Sequence, residues 1–170
     1  MENLIRSKAE EIGKALKPLA MAGLLPESFI VAGGAFKIGQ PINDYDIYPA
    51  PGVPLLRHEV TVDKDCKVLC NTTNAITFRH KDIKLPIQFC DFKKPSLGTL
   101  VESFDFSSIQ VGALYKNNYQ CDGKFNAVKN PFEVLDVYYS VGFIDHAIDG
   151  EIKYTGAEYP FGSLMRVGKQ

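Results

Sequence analysis

Two aspartates separated by a single residue, Asp44 and Asp46, lie in Asn43-Asp-Tyr-Asp-Ile-Tyr48, where acidic and apolar residues alternate. On an extended strand such residues share a face, with backbones about 7 Å apart. Two carboxylates there repel, and in a partly buried cleft one pKa rises unless a cation lies between them. Oxygen donors with no histidine or thiol nearby select a hard ion, Mg²⁺ or Mn²⁺, over zinc. Gly33-Gly34 directly follows an apolar run and is separated from Asp44 by nine residues. Glycines at such a turn allow backbone N–H groups to approach a phosphate closely. The chain has neither G-x-G-x-x-G nor G-x4-G-K-[ST]. Taken singly, the aspartates also read as a solvated strand face and the glycines as a tight turn. Their combination is what suggests an anion-binding turn beside a cation site.

The elements that must carry these residues can be read from periodicity. Ile5, Ala9, Ile12, Leu16 and Leu19 recur at spacings of four and three, one face of a helix beginning after Asn3, with Pro18 expected to end or kink it. Ser28 to Ala32 reads as a buried strand stopped by the two glycines, and Asn43 to Tyr48 as a second strand closed by Pro49, Pro51 and Pro54. Glu59 to Val62, Lys67 to Cys70, Ala75 to Phe78 and Ile83 to Phe89 read as a meander of shorter strands. Val101 to Tyr115 reads as a long strand holding Asp105, pairing through Asn117-Asn118 with Tyr119 to Cys121. Asn130-Pro-Phe-Glu133 has the cap, first-turn proline and glutamate of a helix start, which predicts a helix to about Val141. Residues 145 to 170 read as a tail around a core of about 28 to 143. The expected class is α+β, a mixed sheet flanked by helices.

Composition narrows the function classes. The chain has 170 residues, 45% hydrophobic and 23% charged, which predicts a single packed domain. Its formal charge of −1 gives no excess that would favour bulk nucleic-acid or anionic-membrane binding. No apolar stretch reaches the roughly 18 residues of a membrane span. The N-terminus mixes Glu2, Glu10 and Glu11 with Arg6, Lys8 and Lys14 and lacks a secretory apolar core, so the expected location is cytoplasmic. Cys66 and Cys70 are spaced C-x3-C, yet no second pair follows and His58, His80 and His146 form no H-x3-5-H. The thiols are expected to be free.

The pattern Ala32-Gly33-Gly34, nine residues, then Asp44-Tyr-Asp-Ile47 resembles the nucleotidyltransferase superfamily related to DNA polymerase β. The similarity extends toward small phage and bacterial nucleotidyltransferase-like proteins through Thr73-Asn-Ala-Ile-Thr-Phe78, Pro86-Ile-Gln-Phe89, Ser103-Phe-Asp-Phe106 with Gln110, and Val137-Tyr-Tyr-Ser-Val-Gly-Phe143. Together these span residues 28 to 143. The resemblance implies the polymerase β-like fold, with a third carboxylate on a separate strand. Asp105 matches it, and Asp91 and Glu102 compete for the place. It further implies two Mg²⁺ (or Mn²⁺) ions on Asp44, Asp46 and Asp105, and Gly33 and Gly34 holding phosphates of a nucleoside triphosphate (NTP). A nucleoside monophosphate would pass to an acceptor hydroxyl and pyrophosphate would leave.

Lys37 stands where it could neutralise phosphate charge, while Thr73, Asn74 and Gln88 could meet sugar or base. The short, Gly39- and Pro41-broken segment before Asp44 and the absence of room for added helical domains disfavour a processive polymerase. One transfer to a small molecule, a protein side chain or an RNA end suits the size, in a bacterial or phage-infected cytosol. Three other readings stand beside this one. The first is a non-catalytic nucleotide- or partner-binding module of the same fold, the second a D-x-D glycosyltransferase, and the third a phage accessory factor with a Tyr-rich C-terminal interface.

Overall fold

A computed structural model describes residues 1–119 and 130–150. Helix α1 (Glu2–Met21) buries Ile5, Ala9, Ile12, Leu16 and Leu19, the face given by their spacing. It begins at Glu2 rather than after Asn3 and runs through Pro18, which lies in its last turn. Gly23, at φ +73°, ends the rise, and the Leu24 N–H donates back to the Leu19 carbonyl.

The strands are β1 (Ser28–Ala32), β2 (Tyr45–Pro49), β3 (Cys66–Asn71), β4 (Ala75–His80), β5 (Ile87–Cys90), β6 (Val111–Asn117) and β7 (Phe132–Tyr139). They form one mixed sheet in the order β3-β4-β5-β2-β1-β6-β7, in which only β2 and β5 are parallel neighbours. Three further helices accompany α1: α2 (Arg57–Val62), α3 (Leu97–Glu102) and α4 (Val141–Asp149). The architecture of the described residues is therefore α+β, a seven-stranded mixed sheet with four helices.

Alternation sorts the side chains into two layers. Phe29, Val31, Ile47, Phe78, Ile87, Phe89, Ala113 and Tyr115 join α1 in the main core. The Tyr115 ring stacks on Phe29 at 5.1 Å and its hydroxyl donates to the Ala9 carbonyl at 2.7 Å. On the opposite face Ile30 and Ala32 pack under Leu97, Leu100, Val101, Phe104, Phe106 and Ile109. That second layer lies over the β1 side and leaves β2 and β5 open.

Several local expectations are corrected. Glu59 to Val62 is part of α2, not a strand: only Val60 of the segment is buried, and the Thr61 hydroxyl donates to the His58 carbonyl at 2.6 Å, closing a helical turn. The expected strand from Ile83 shortens to Ile87–Cys90, because His80 and Lys81 begin a turn in which Ile83 N–H donates to the His80 carbonyl. The long strand from Val101 does not exist. Ser96 caps α3 by accepting from the Thr99 N–H at 3.1 Å, residues 107–109 form a 3-10 turn, and the strand starts only at Val111. It pairs with β1 and β7; the expected partner Tyr119 to Cys121 lies mostly outside the described residues, and of the expected tail from 145 to 170, residues 145–149 belong to α4 while 151–170 lie outside the described residues.

The predicted helix after Asn130 is β7. Opposite it, the register shifts between Leu114 and Tyr115, which pair with Asp136 and Val134, so Leu135 is an extra residue. The bulge sets Phe132, Val134, Val137 and Tyr139 all against the main core. Val134 and Val137 thus share a face at the spacing of a helix while lying on a strand. A helix does follow, capped by Ser140 accepting from the Phe143 N–H at 3.1 Å.

Candidate functional site

Where the α3 layer stops short, a cleft of about 700 Å³ opens on β2 and β5. Asp46 and Tyr48 of β2 and Gln88 and Cys90 of β5 line it. They face away from α1 because Tyr45 and Ile47, and Ile87 and Phe89, fill the core beneath. Asp44 immediately precedes β2 and lines the same cleft, so the two aspartates do share a face. Gly33, Gly34 and Lys37 form one wall, Phe104 and Ile109 another.

The turn after β1 requires glycine. Gly33 has φ 89° and ψ −136°, a region open essentially to glycine alone. Its N–H donates to the Val111 carbonyl at 2.8 Å and its carbonyl accepts from Phe36 N–H at 3.0 Å. The first glycine amide is thus used by the fold. A Cβ on Gly34 would sit 3.6 Å from Lys37 Cε, so the lysine stem lies alongside the second glycine.

The expected residues separate into two groups. Gly33, Gly34, Asp44 and Asp46 come together in the cleft, with Lys37 and Gln88. Asp105 does not line it. It is 2% exposed, in the connection from α3 to the 3-10 turn rather than on a strand. Gln110 holds that connection, its Nε2 donating to the carbonyls of Glu102 and Phe104 at 3.3 and 3.2 Å. The two competing carboxylates are engaged elsewhere: Asp91 pairs with Arg57 at 2.5 Å, and Glu102 accepts from the Tyr138 hydroxyl at 2.7 Å. Thr73 and Asn74 act through their backbone, their carbonyls accepting from Arg57 and from the Asp91 N–H. Arg57 also donates to the carbonyls of Thr72 and Ala75 and to the Asn71 side chain, which makes it the pin of the β3–β4 turn.

Asn43, Tyr48, Cys90, Phe104 and Ile109 line the cleft without having been singled out from the sequence. Phe104 and Tyr48 rings meet at 5.7 Å. Strand alternation from Asp46 would have found Tyr48; nothing local points to Phe104 or Ile109, which arrive from the α3 connection.

Among the described residues, no three histidine, cysteine, aspartate or glutamate side chains are grouped to hold a metal. What the cleft offers a hard cation is a pair of carboxylates. The C-x3-C thiols are split by a bulge: Cys66 pairs with His80 and Cys70 with Thr77, and the register shift between Val68 and Cys70 turns the two to opposite faces. Burial, then Asp63 and Asp65, pushes the Cys66 thiol up to about 11. Burial and the Asp46 carboxylate likewise raise Cys90, a hydrogen bond with Tyr48 opposing them. Cys70 is exposed. Among these three thiols, Cys70 is expected to react with iodoacetamide at pH 8 at least about tenfold faster than Cys66 or Cys90, since the thiolate is the nucleophile. Peptide mass mapping over time checks the order.

No protein-family model matches the sequence, and no significant match is found among curated proteins. Geometry and residue chemistry therefore carry the functional reading.

Proposed function

We propose that the protein is a divalent-metal-dependent nucleotidyltransferase of the polymerase β-like fold, moving a nucleoside monophosphate from an NTP to an acceptor hydroxyl. The observation that carries this reading is the meeting of Gly33-Gly34, Lys37, Asp44 and Asp46 in one cleft large enough for a nucleotide. Asp44 and Asp46 would hold Mg²⁺ or Mn²⁺, an ion that when bound neutralises the triphosphate and the departing pyrophosphate.

Gly34 offers the close backbone approach for the outer phosphates, while Gly33 fixes the turn. Lys37 adds one positive charge on the same wall. Phe104 and Tyr48 give the base or sugar an aromatic surface, and Gln88 and Asn43 offer amide groups that can both donate and accept. Asp44 or Asp46 can also accept the proton of the attacking hydroxyl, provided the acceptor enters beside them.

A second reading, a nucleotide-binding module without turnover, is supported by the position of Asp105 outside the cleft lining. Calorimetric titration with each of the four ribonucleoside triphosphates, with and without Mg²⁺, tests the common ground of both. Metal-dependent binding of at least one is expected, and absence of binding to all four overturns the reading. Release of labelled pyrophosphate in the presence of candidate acceptors then separates enzyme from module.

A further inference from the structure

The parallel pairing of β2 with β5 sets Asp46 directly beside Gln88, and the antiparallel pairing of β5 with β4 sets Gln88 beside Thr77. Directly paired residues on neighbouring strands share a face, so Asp46, Gln88 and Thr77 form one row across the sheet. Gln88 and Asp46 both line the cleft. The position on β5 nearest the D-x-D pair therefore carries a carboxamide. No hydrogen bond to another described residue restrains the Gln88 side chain, in contrast to buried Gln110, whose Nε2 is tied to two carbonyls. A half-buried carboxamide held on a rigid central strand, open to the cleft and left without a structural task, is placed for a ligand.

We propose that Gln88 is the third side chain of the cation site: its carboxamide oxygen completes, with Asp44 and Asp46, a single weak divalent-cation site instead of a two-cation site built on three carboxylates. The inference rests on reading the cleft as a cation-assisted phosphate site. A carboxamide oxygen is an acceptable ligand for a hard cation, but it adds no charge. Two aspartates and a glutamine thus supply two negative charges, enough for one ion. The rest of the ion's coordination shell must come from water and phosphate oxygens, which makes tight binding dependent on the nucleotide. Asp91 cannot compensate without leaving Arg57, nor Glu102 without leaving Tyr138.

Electron paramagnetic resonance titration of the full chain with Mn²⁺ tests this, using wild type, Gln88→Glu and Gln88→Glu combined with Asp46→Asn. Without nucleotide, wild type is expected to bind at most one Mn²⁺. Gln88→Glu should bind at least about tenfold more tightly, because ligand charge count sets affinity. Adding Asp46→Asn should remove that gain. The melting temperature gives a second readout: a third carboxylate beside two others should lower it in EDTA and Mn²⁺ should restore it.

Two tightly bound ions in wild type, or unchanged affinity in Gln88→Glu, overturns the inference. So does loss of Mn²⁺ in a folded Asp105→Asn protein, which would return the third place to Asp105. The test is separable from the proposed activity. If wild type binds no NTP but Gln88→Glu gains Mn²⁺ through Asp46, the cation site stands and the transferase reading falls. If NTP binds while neither protein takes up Mn²⁺, the cation site falls.

Discussion

Replacing Asp44 and Asp46 together by asparagine is expected to lower Mg²⁺-dependent NTP affinity, and any turnover, by at least about a hundredfold, while slightly strengthening whatever NTP binding occurs without metal. The two signs have one cause. Both carboxylates line the cleft that Lys37 and Gly34 also line, so a metal-free triphosphate meets two negative charges beside one positive charge. Removing the aspartate charges relieves that repulsion but also removes the carboxylates that, among the described residues, line the cleft. A purely structural role for the pair would shift both affinities in the same direction. Calorimetry in Mg²⁺ and in EDTA, with circular dichroism melting to verify the fold, reads the crossing. Equal affinity of variant and wild type in Mg²⁺ would refute the assignment of the site.

A large loss of stability is expected at Gly112, the second residue of β6. A Cβ built there would lie 2.8 Å from the Ala32 Cβ, 3.2 Å from Val101 Cγ2 and 3.2 Å from the Val31 carbonyl oxygen. None of these is the free end of a flexible chain. Ala32 is paired across from Gly112, and Val101 belongs to α3 lying over them. Gly112→Val must therefore push α3 off the sheet or spread β1 from β6, costing about 3 kcal/mol or more. For a chain of this size that corresponds to roughly 6–12 °C in Tm. The damage should also reach the cleft, because Ala32 is followed by Gly33, whose N–H bonds to Val111. Gly98→Ala is the comparison: its Cβ would meet the Tyr138 ring at 3.3 Å, where the ring edge can give way. Thermal melts of the two variants should differ by several degrees, and similar melts would show that the sheet tolerates the added methyls.

The parts of this fold that were legible are those whose signal is local. The buried stripe of α1, the apolar run of β1 and the alternation through Asp44 and Asp46 each follow from spacing within one element. The failures arise where an irregularity or a distant partner decides. The bulge at Leu135 gives β7 a helical spacing of apolar residues, so periodicity selects the wrong element. Phe104, Phe106 and Ile109 are apolar because they cap the second core layer, and without that layer the run containing Asp105 is indistinguishable from a strand.

For the site, the sequence brought forward the glycines and the D-x-D pair, which lie close along the chain. It could not show that β5 pairs parallel with β2, and that pairing alone sets Gln88 beside Asp46. It also could not show that Asp91 is committed to Arg57.

The strand order has a consequence for how the chain reaches this state. Central strand β1 is flanked by β2, its sequence neighbour, and by β6, and α1 is fastened to β6 by the Tyr115–Ala9 bond across 106 residues of separation. Closing so large a loop costs entropy before any contact repays it, which slows folding relative to a fold built of mostly local contacts. During synthesis the apolar faces of α1 and β1 emerge before Val111–Asn117, one of the strands that completes their cover. The Gly33 turn, anchored to Val111, is completed only then. A chain interrupted before β6 would carry both aspartates and both glycines without the Val111 carbonyl that anchors the Gly33 turn.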